Sequence, residues 1–314
     1  MDKLKLAEEI NRLKREKNAV ILAHYYTIGE IQDIADFVGD SLALAQKAAQ
    51  STADIIVMCG VHFMGETCKI LCPDKKVLVP DLAAGCSLAD SCPADDFGAF
   101  VKAHPGYTVL SYVNTTAAVK YYTDIVVTSG NALKIVNSLP KDEKIIFAPD
   151  RNLGSYINAV TGRNMLLWDG ACHVHEQFST EAILKLKKEH PTAKVLVHPE
   201  CKRPVVLLAD KVGSTAVLLK YAVEDDCNEF IVATESGILH EMQRQAPQKH
   251  FIPVPPEVSE GSVGCNCNEC AYMRLNTLEK LYNCLLNEIP EISIDEKIIG
   301  RAKLPIDRML ELSK

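Results

Sequence analysis

Short, wholly apolar runs alternate with longer amphipathic stretches along almost the entire chain. Leu4, Leu6, Ile10 and Leu13 recur at helical spacing among charges between Met1 and Asn18, which predicts an amphipathic first helix. Ala19-Val20-Ile21-Leu22-Ala23 reads as a buried strand ending in His24-Tyr25-Tyr26. After a helical segment, Val38-Gly39-Asp40-Ser41 opens a helix over Leu42 to Gln50. Asp54 to Met58 is a second strand, Phe63 to Leu71 a helix, and Lys76 to Pro80 a third strand leading to Gly85-Cys86. Apolar runs without alternation, separated by helical patterns, predict βαβ units and a parallel sheet covered on both faces.

The same order then returns twice. Val109 to Asn114, Lys144 to Ala148 and Met165 to Trp168 are the strands of a second copy, with Val127-Thr128-Ser129-Gly130-Asn131 opening a helix and Gly170-Ala171-Cys172 closing it. Val195 to Glu200, Glu229 to Ala233 and Phe251 to Val254 form a third, with a helix opened by Val212-Gly213-Ser214-Thr215. Setting His24, Val113 and His198 level brings Val38, Val127 and Val212 to one offset. A period this long suits three small domains better than a solenoid. The expected fold is therefore α/β, with three homologous small domains in a pseudo-threefold arrangement. Their expected limits are 1–87, 88–172 and 173–290. A C-terminal helical run within 291–314, interrupted by Pro305, is expected to pack back on the first domain.

Composition narrows the function classes. The chain of 314 residues is 47% hydrophobic and 24% charged, enough apolar material for several cores in a globular protein. A net charge of −7, with no Lys/Arg run, argues against a nucleic-acid partner. No apolar stretch has membrane length, so no membrane partner is expected. Twelve cysteines without a secretory signal point to a reducing, cytoplasmic setting where thiols serve metals or catalysis. There is neither a dinucleotide fingerprint nor a P-loop.

The thiols are placed for a shared centre. Cys265-Asn266-Cys267-Asn268-Glu269-Cys270 is too sparse for a closed four-ligand zinc site, so any further ligands must come from elsewhere in the chain. Each copy ends a late strand in a cysteine: Cys86, Cys172, and one of Cys265, Cys267 or Cys270. Three thiolates around an axis suit a 4Fe–4S cluster with one iron lacking a protein ligand. His24, Tyr26, Tyr112, Asn114, His198 and Glu200 fall at carboxyl ends of strands, where parallel α/β sheets bind ligands. Ser41, Ser129, Ser214 and Thr215 fall near helix N-termini, which favour anions.

The motifs Ile21-Leu22-Ala23-His24-Tyr25-Tyr26, Gly39-Asp40-Ser41, Ala84-Gly85-Cys86-Ser87-Leu88-Ala89-Asp90, Tyr112-Val113-Asn114, Pro149-Asp150-Arg151-Asn152-Leu153-Gly154, Val197-His198-Pro199-Glu200-Cys201 and Val212-Gly213-Ser214-Thr215 together resemble the quinolinate synthase A family. That family condenses iminoaspartate with dihydroxyacetone phosphate to quinolinate, losing phosphate and water, in NAD biosynthesis. The resemblance implies a 4Fe–4S cluster on Cys86, Cys172 and Cys270, acting as Lewis acid in dehydration. It implies that His24, Ser41, Ser129 and Thr215 hold substrate carboxylates, and that Tyr112 and Asn114 place the intermediate. It further implies Tyr26 and Glu200 as proton-transfer groups supported by His198, and Met64 as a cavity wall. An enzyme supplying iminoaspartate is an implied functional partner. Where relatives carry CxxCxxC, this chain has Cys265-x-Cys267-x-x-Cys270, and the first two thiols have no assigned role.

Two other classes are weighed against this. A non-catalytic electron carrier needs four cysteine ligands and no polar cavity. A zinc hydrolase on Cys172, His173 and His175 lacks a partner carboxylate motif, and the histidine pair reads better as support for the cysteine. Cys68-x-x-x-Cys72 lacks the third cysteine of a radical triplet. Cys59, Cys68, Cys72, Cys201, Cys227 and Cys284 read as core or incidental thiols.

Overall fold

The computed structural model describes residues 2–256 and 268–314. The first unit runs α1 (Lys3–Glu16), β1 (Ala19–His24), α2 (Gly29–Ile34), β2 (Phe37–Gly39), α3 (Ser41–Gln50), β3 (Ile55–Cys59), α4 (His62–Leu71) and β4 (Lys76–Leu78). The second runs α5 (Ser87–Asp90), α6 (Ala94–Ala103), β5 (Thr108–Tyr112), α7 (Ala117–Lys120), β6 (Ile125–Val127), α8 (Ala132–Ser138), β7 (Ile145–Ala148), α9 (Arg151–Thr161) and β8 (Leu166–Leu167). The third comprises α10 (His173–Glu176), α11 (Thr180–Glu189), β9 (Lys194–Val197), α12 (Arg203–Val206), β10 (Lys211–Val212), α13 (Thr215–Glu224), β11 (Glu229–Ala233), α14 (Ile238–Gln245) and β12 (His250–Pro253). Two helices close the chain, α15 (Leu278–Asn287) and α16 (Glu296–Leu312).

Three parallel sheets of four strands result, with one order throughout: β2-β1-β3-β4, β6-β5-β7-β8 and β10-β9-β11-β12. The central strands are apolar on both faces because helices cover both, as the unbroken runs predicted. Each sheet has one strand more than the sequence pattern indicated. The extra strands β2, β6 and β10 lie at sheet edges and are two or three residues long, too short to show a period.

Each edge strand is held by the same device. Ile21, Val109 and Val195 donate their N–H groups to the carboxylates of Asp36, Asp124 and Asp210 at 2.8, 2.9 and 2.7 Å. Each Asp returns its own N–H to the carbonyl of that same residue at 2.9 Å. The partner lies fifteen residues back in all three units. This fixes the register and corrects the alignment of the copies. His24 pairs with Gly39, Tyr112 with Val127 and Val197 with Val212, so Tyr112, not Val113, is the counterpart of His24 and His198.

The C-terminal elements return to the first two units. Leu278, Leu281 and Leu285 of α15 share a core with Leu6, Ile10 and Leu13 of α1 and with Ile21 of β1. Val79 donates to Pro290 O at 3.2 Å and Ile292 to Val77 O at 2.8 Å, carrying the chain along β4. Because α1 and α15 cover that face of the first sheet, α16 settles elsewhere. It packs on β6 and α7 of the second unit as well as on α4 of the first, and Asn131 Nδ2 reaches Ser313 Oγ at 2.9 Å. Pro305 does not interrupt the helix: it is buried within α16. Among the described residues no helix is long and apolar enough to cross a membrane.

Candidate active site

The carboxyl ends of all three sheets line one cavity of about 720 Å³, its open mouth included. Nine polar residues reach it in three equivalent sets: His24, Tyr26 and Ser41; Tyr112, Asn114 and Ser129; His198, Glu200 and Thr215. In each set the second residue lies two positions and the third seventeen positions after the first. The first residue ends a central strand or follows directly on it, the second lies in the turn that follows, and the third follows the edge strand. Ser41 and Thr215 are the first residues of α3 and α13, whereas α8 starts three residues beyond Ser129. Met64 does not reach this cavity. It is buried in the wall of a smaller neighbouring pocket that shares Ser41 and Phe63.

Cys86, Cys172 and Cys270 line the same cavity, each in the loop beyond the last strand of its sheet. One contact ties the first two of those loops together, and another ties the third to the end of β11. His173 Nδ1 and Ser87 Oγ, each next to a cysteine, lie 2.6 Å apart. Glu235 Oε1 accepts the N–H of Cys270 at 3.0 Å. Burial pushes the Cys86 thiol up to about 12 and those of Cys172 and Cys270 upward too. Cys86 feels the charge of Cys270, and Cys172 that of Cys86. As thiolates, three sulfurs this buried would need cations beside them, a charge that iron would supply. The donor set therefore fits an iron–sulfur group. Cys265 and Cys267 lie outside the described residues. Cys59, Cys68, Cys72, Cys201 and Cys284 are buried away from this loop cluster, in the cores.

Two histidines face the cavity uncharged. Burial lowers both His24 and His198 to about 3 against the pull of Glu200. His24 Nδ1 accepts the N–H of Tyr26 at 3.1 Å, which leaves the proton on Nε2. His198 repeats the arrangement more loosely, with Glu200 N–H at 3.4 Å from Nδ1 and Ser129 Oγ at 3.3 Å from Nε2. Each is a neutral donor for an anion.

Glu200 is the cavity's anion. Burial opposes its charge, but His175, His198 and the Tyr112 hydroxyl outweigh burial and hold it below the usual carboxylate range. Tyr112 donates to Glu200 Oε1 at 2.5 Å, and His175 Nδ1 lies 3.1 Å from Oε2. Nearby Asp150, which does not line the cavity, moves the other way, raised by burial and by the charge of Glu200. Asn114 Oδ1 and Thr128 Oγ1 are buried and have no hydrogen-bond partner among the described residues, so both can take a ligand.

The pattern of the sequence did not disclose the connection between these groups. His175 Nε2 and the Tyr26 hydroxyl both bond to Thr234 Oγ1, at 3.1 and 2.9 Å, and Tyr26 also bonds to Thr215 at 2.7 Å. A line of contacts thus runs Tyr112–Glu200–His175–Thr234–Tyr26, hydrogen-bonded except where His175 Nδ1 approaches Glu200 at 3.1 Å without hydrogen-bond geometry. Thr234 and Glu235 follow β11, a carboxyl end where ligand residues were to be sought. Thr234→Val, which keeps the shape and removes the hydroxyl, is expected to lower kcat by roughly threefold to tenfold, with KM and iron content unchanged. Steady-state kinetics decide it: a rise in KM alone takes Thr234 out of this line.

Cys172, His175 and Glu200 could also hold a metal ion among themselves. His173, the other histidine of a zinc-hydrolase reading, is turned to Ser87.

A family model described as quinolinate synthetase A protein matches residues 8–311. The quinolinate synthase of Thermosynechococcus vestitus is 57% identical over 310 residues, covering 99% of this chain and 96% of that one. That of Microcystis aeruginosa is 57% identical over 304 residues (97% and 94%), and that of Prochlorococcus marinus 56% over 305 residues (97% and 90%).

Proposed function

The chain belongs to the quinolinate synthase A family, and from that membership we propose that its central cavity condenses iminoaspartate with dihydroxyacetone phosphate. The product is quinolinate, phosphate and water are released, and the place in metabolism is NAD biosynthesis. The observation that carries this reading is the convergence of three equivalent polar sets and three cysteine loops on one cavity.

Cys86, Cys172 and Cys270 hold a 4Fe–4S cluster with one iron free of protein ligands. When bound, the cluster supplies a Lewis acid for dehydration. The residues of the chain do the rest. Substrate carboxylates bind to the Nε2–H groups of His24 and His198 and to Ser41, Ser129 and Thr215. At Ser41 and Thr215 the unpaired N–H groups of a helix first turn add to the attraction. Tyr112 and Asn114 hold the intermediate in place, Asn114 through the Oδ1 that lacks a protein partner. Glu200 takes and returns protons, its position fixed by Tyr112 and His175. Tyr26, its hydroxyl between Thr215 and Thr234, serves the tautomerisation beside a carbonyl. The enzyme works in the cytoplasm, supplied by an enzyme that makes iminoaspartate.

The test is an anaerobic assay of the cluster-loaded enzyme with dihydroxyacetone phosphate and iminoaspartate generated in place. Quinolinate and phosphate should appear in equal amounts; a fully loaded enzyme that makes neither contradicts the proposal. His24→Asn keeps a donor but moves it, so KM should rise several-fold more than kcat falls. Because His24 is neutral, the acid limb of the pH profile should not move with this variant. A shift of that limb near ~6.5, where a free imidazole titrates, would show that His24 carries charge.

A further inference from the structure

A second group of metal-capable side chains lies at the opposite end of the third sheet. Glu229 opens β11 and His250 opens β12, and the two are register partners on neighbouring strands. His190 caps the C-terminus of α11. One donor atom from each lies within 4.8 Å of the other two.

Two of the three separations match the spacing of ligands around one ion. His190 Nδ1 stands 3.4 Å and His250 Nδ1 3.5 Å from the same oxygen, Glu229 Oε1. Hydrogen bonds from N–H to oxygen run shorter, at about 2.7–3.2 Å. Donors about 2.1 Å from a tetrahedral zinc ion are separated by about 3.4 Å along each edge. The other carboxylate oxygen accepts from Thr192 Oγ1 at 3.3 Å, the kind of outer hydrogen bond that orients a metal-binding carboxylate. Burial opposes the charge of Glu229, but His250, His190 and Thr192 together hold its carboxyl below the usual range. The three side chains are partly open to solvent, so an ion can enter and water can complete its shell.

We propose that His190, Glu229 and His250 form a site for one divalent cation of the zinc class, separate from the cysteine-lined cavity. Two imidazole nitrogens and one carboxylate oxygen are donors that zinc, nickel and cobalt accept and that magnesium and calcium do not favour. The bound ion joins the end of α11 to the amino ends of β11 and β12. The opposite end of β11 delivers Glu235 to the cavity and Thr234 to the Tyr26 hydroxyl, so the ion stiffens the strand that carries them without touching substrate.

Isothermal titration of the cluster-loaded enzyme with Zn²⁺ alone, under anaerobic conditions, tests this. The wild type should show one binding event per chain that the His190→Gln/His250→Gln double variant lacks. Either single variant should weaken that event at least about tenfold. Zn²⁺ should also raise the melting temperature of the wild type more than that of the double variant. Glu229→Gln, which leaves both imidazoles in place, should lose the same event, and quinolinate formation without added zinc should stay at the wild-type rate in all variants. Zinc held by the cysteines appears equally in wild type and variants. Identical isotherms and melting shifts in wild type, double variant and Glu229→Gln would falsify the site, and they leave the catalytic reading untouched.

Discussion

Glu200→Gln is expected to stop quinolinate formation, with activity falling by at least about a hundredfold, while iron and sulfide content stay at the wild-type level. The substitution keeps the side chain's volume and an oxygen that can accept from Tyr112. What it removes is the negative charge and the capacity to take up a proton. Glu200 is held as an anion in a buried position by His175, His198 and Tyr112, and it is the only one of the nine cavity residues able to carry a negative charge at neutral pH. The neighbouring Asp150 cannot substitute for it, because it does not line the cavity and its carboxyl is raised by burial and by the charge of Glu200. An active Glu200→Gln enzyme with a normal pH profile would remove the residue from the mechanism.

The second large effect is expected at the cysteines. Cys86→Ser and Cys172→Ser should each lose the cluster and all activity, because each thiol comes from a different loop and none of the three has a substitute in its own loop among the described residues. Cys92 is the nearest in sequence to Cys86, but it is buried against Phe97 and Ile146 in the second unit's core. Cys201 is likewise enclosed, in the core of the third unit. Cys92→Ala and Cys201→Ala should therefore keep the iron and sulfide of the wild type. Cys267→Ser should do so too, and a colourless Cys267→Ser protein would show that Cys270 is not the third ligand. Iron and sulfide assays on anaerobically purified variants decide among these.

The sequence disclosed the buried central strands because the apolar runs are unbroken, and it placed the polar residues at their ends. It hid β2, β6 and β10 because two or three residues carry no period. It also shifted the middle copy by one residue. The apolar run Val109 to Val113 was matched on hydrophobicity alone, whereas Asp36, Asp124 and Asp210 carry the true spacing and passed unread. With those aspartates aligned, the three polar sets fall at identical intervals. The line of contacts through His175 and Thr234 lay beyond sequence reasoning, since His175 and Thr234 are 59 residues apart and meet only in the folded chain. The destination of α16 depended on which faces α1 and α15 had already covered, a competition that no local pattern records. Met64 was carried over as a wall of the cavity, whereas it lines the smaller adjoining pocket.

The account stands on one cavity serving both the iron and the substrate. Mössbauer spectra of enzyme loaded with isotopically enriched iron, recorded before and after saturation with quinolinate, test that most directly. A single iron environment in the cluster should change while the others remain as they were. A spectrum untouched by quinolinate, under conditions where calorimetry shows it bound, would place substrate and cluster apart and contradict the account.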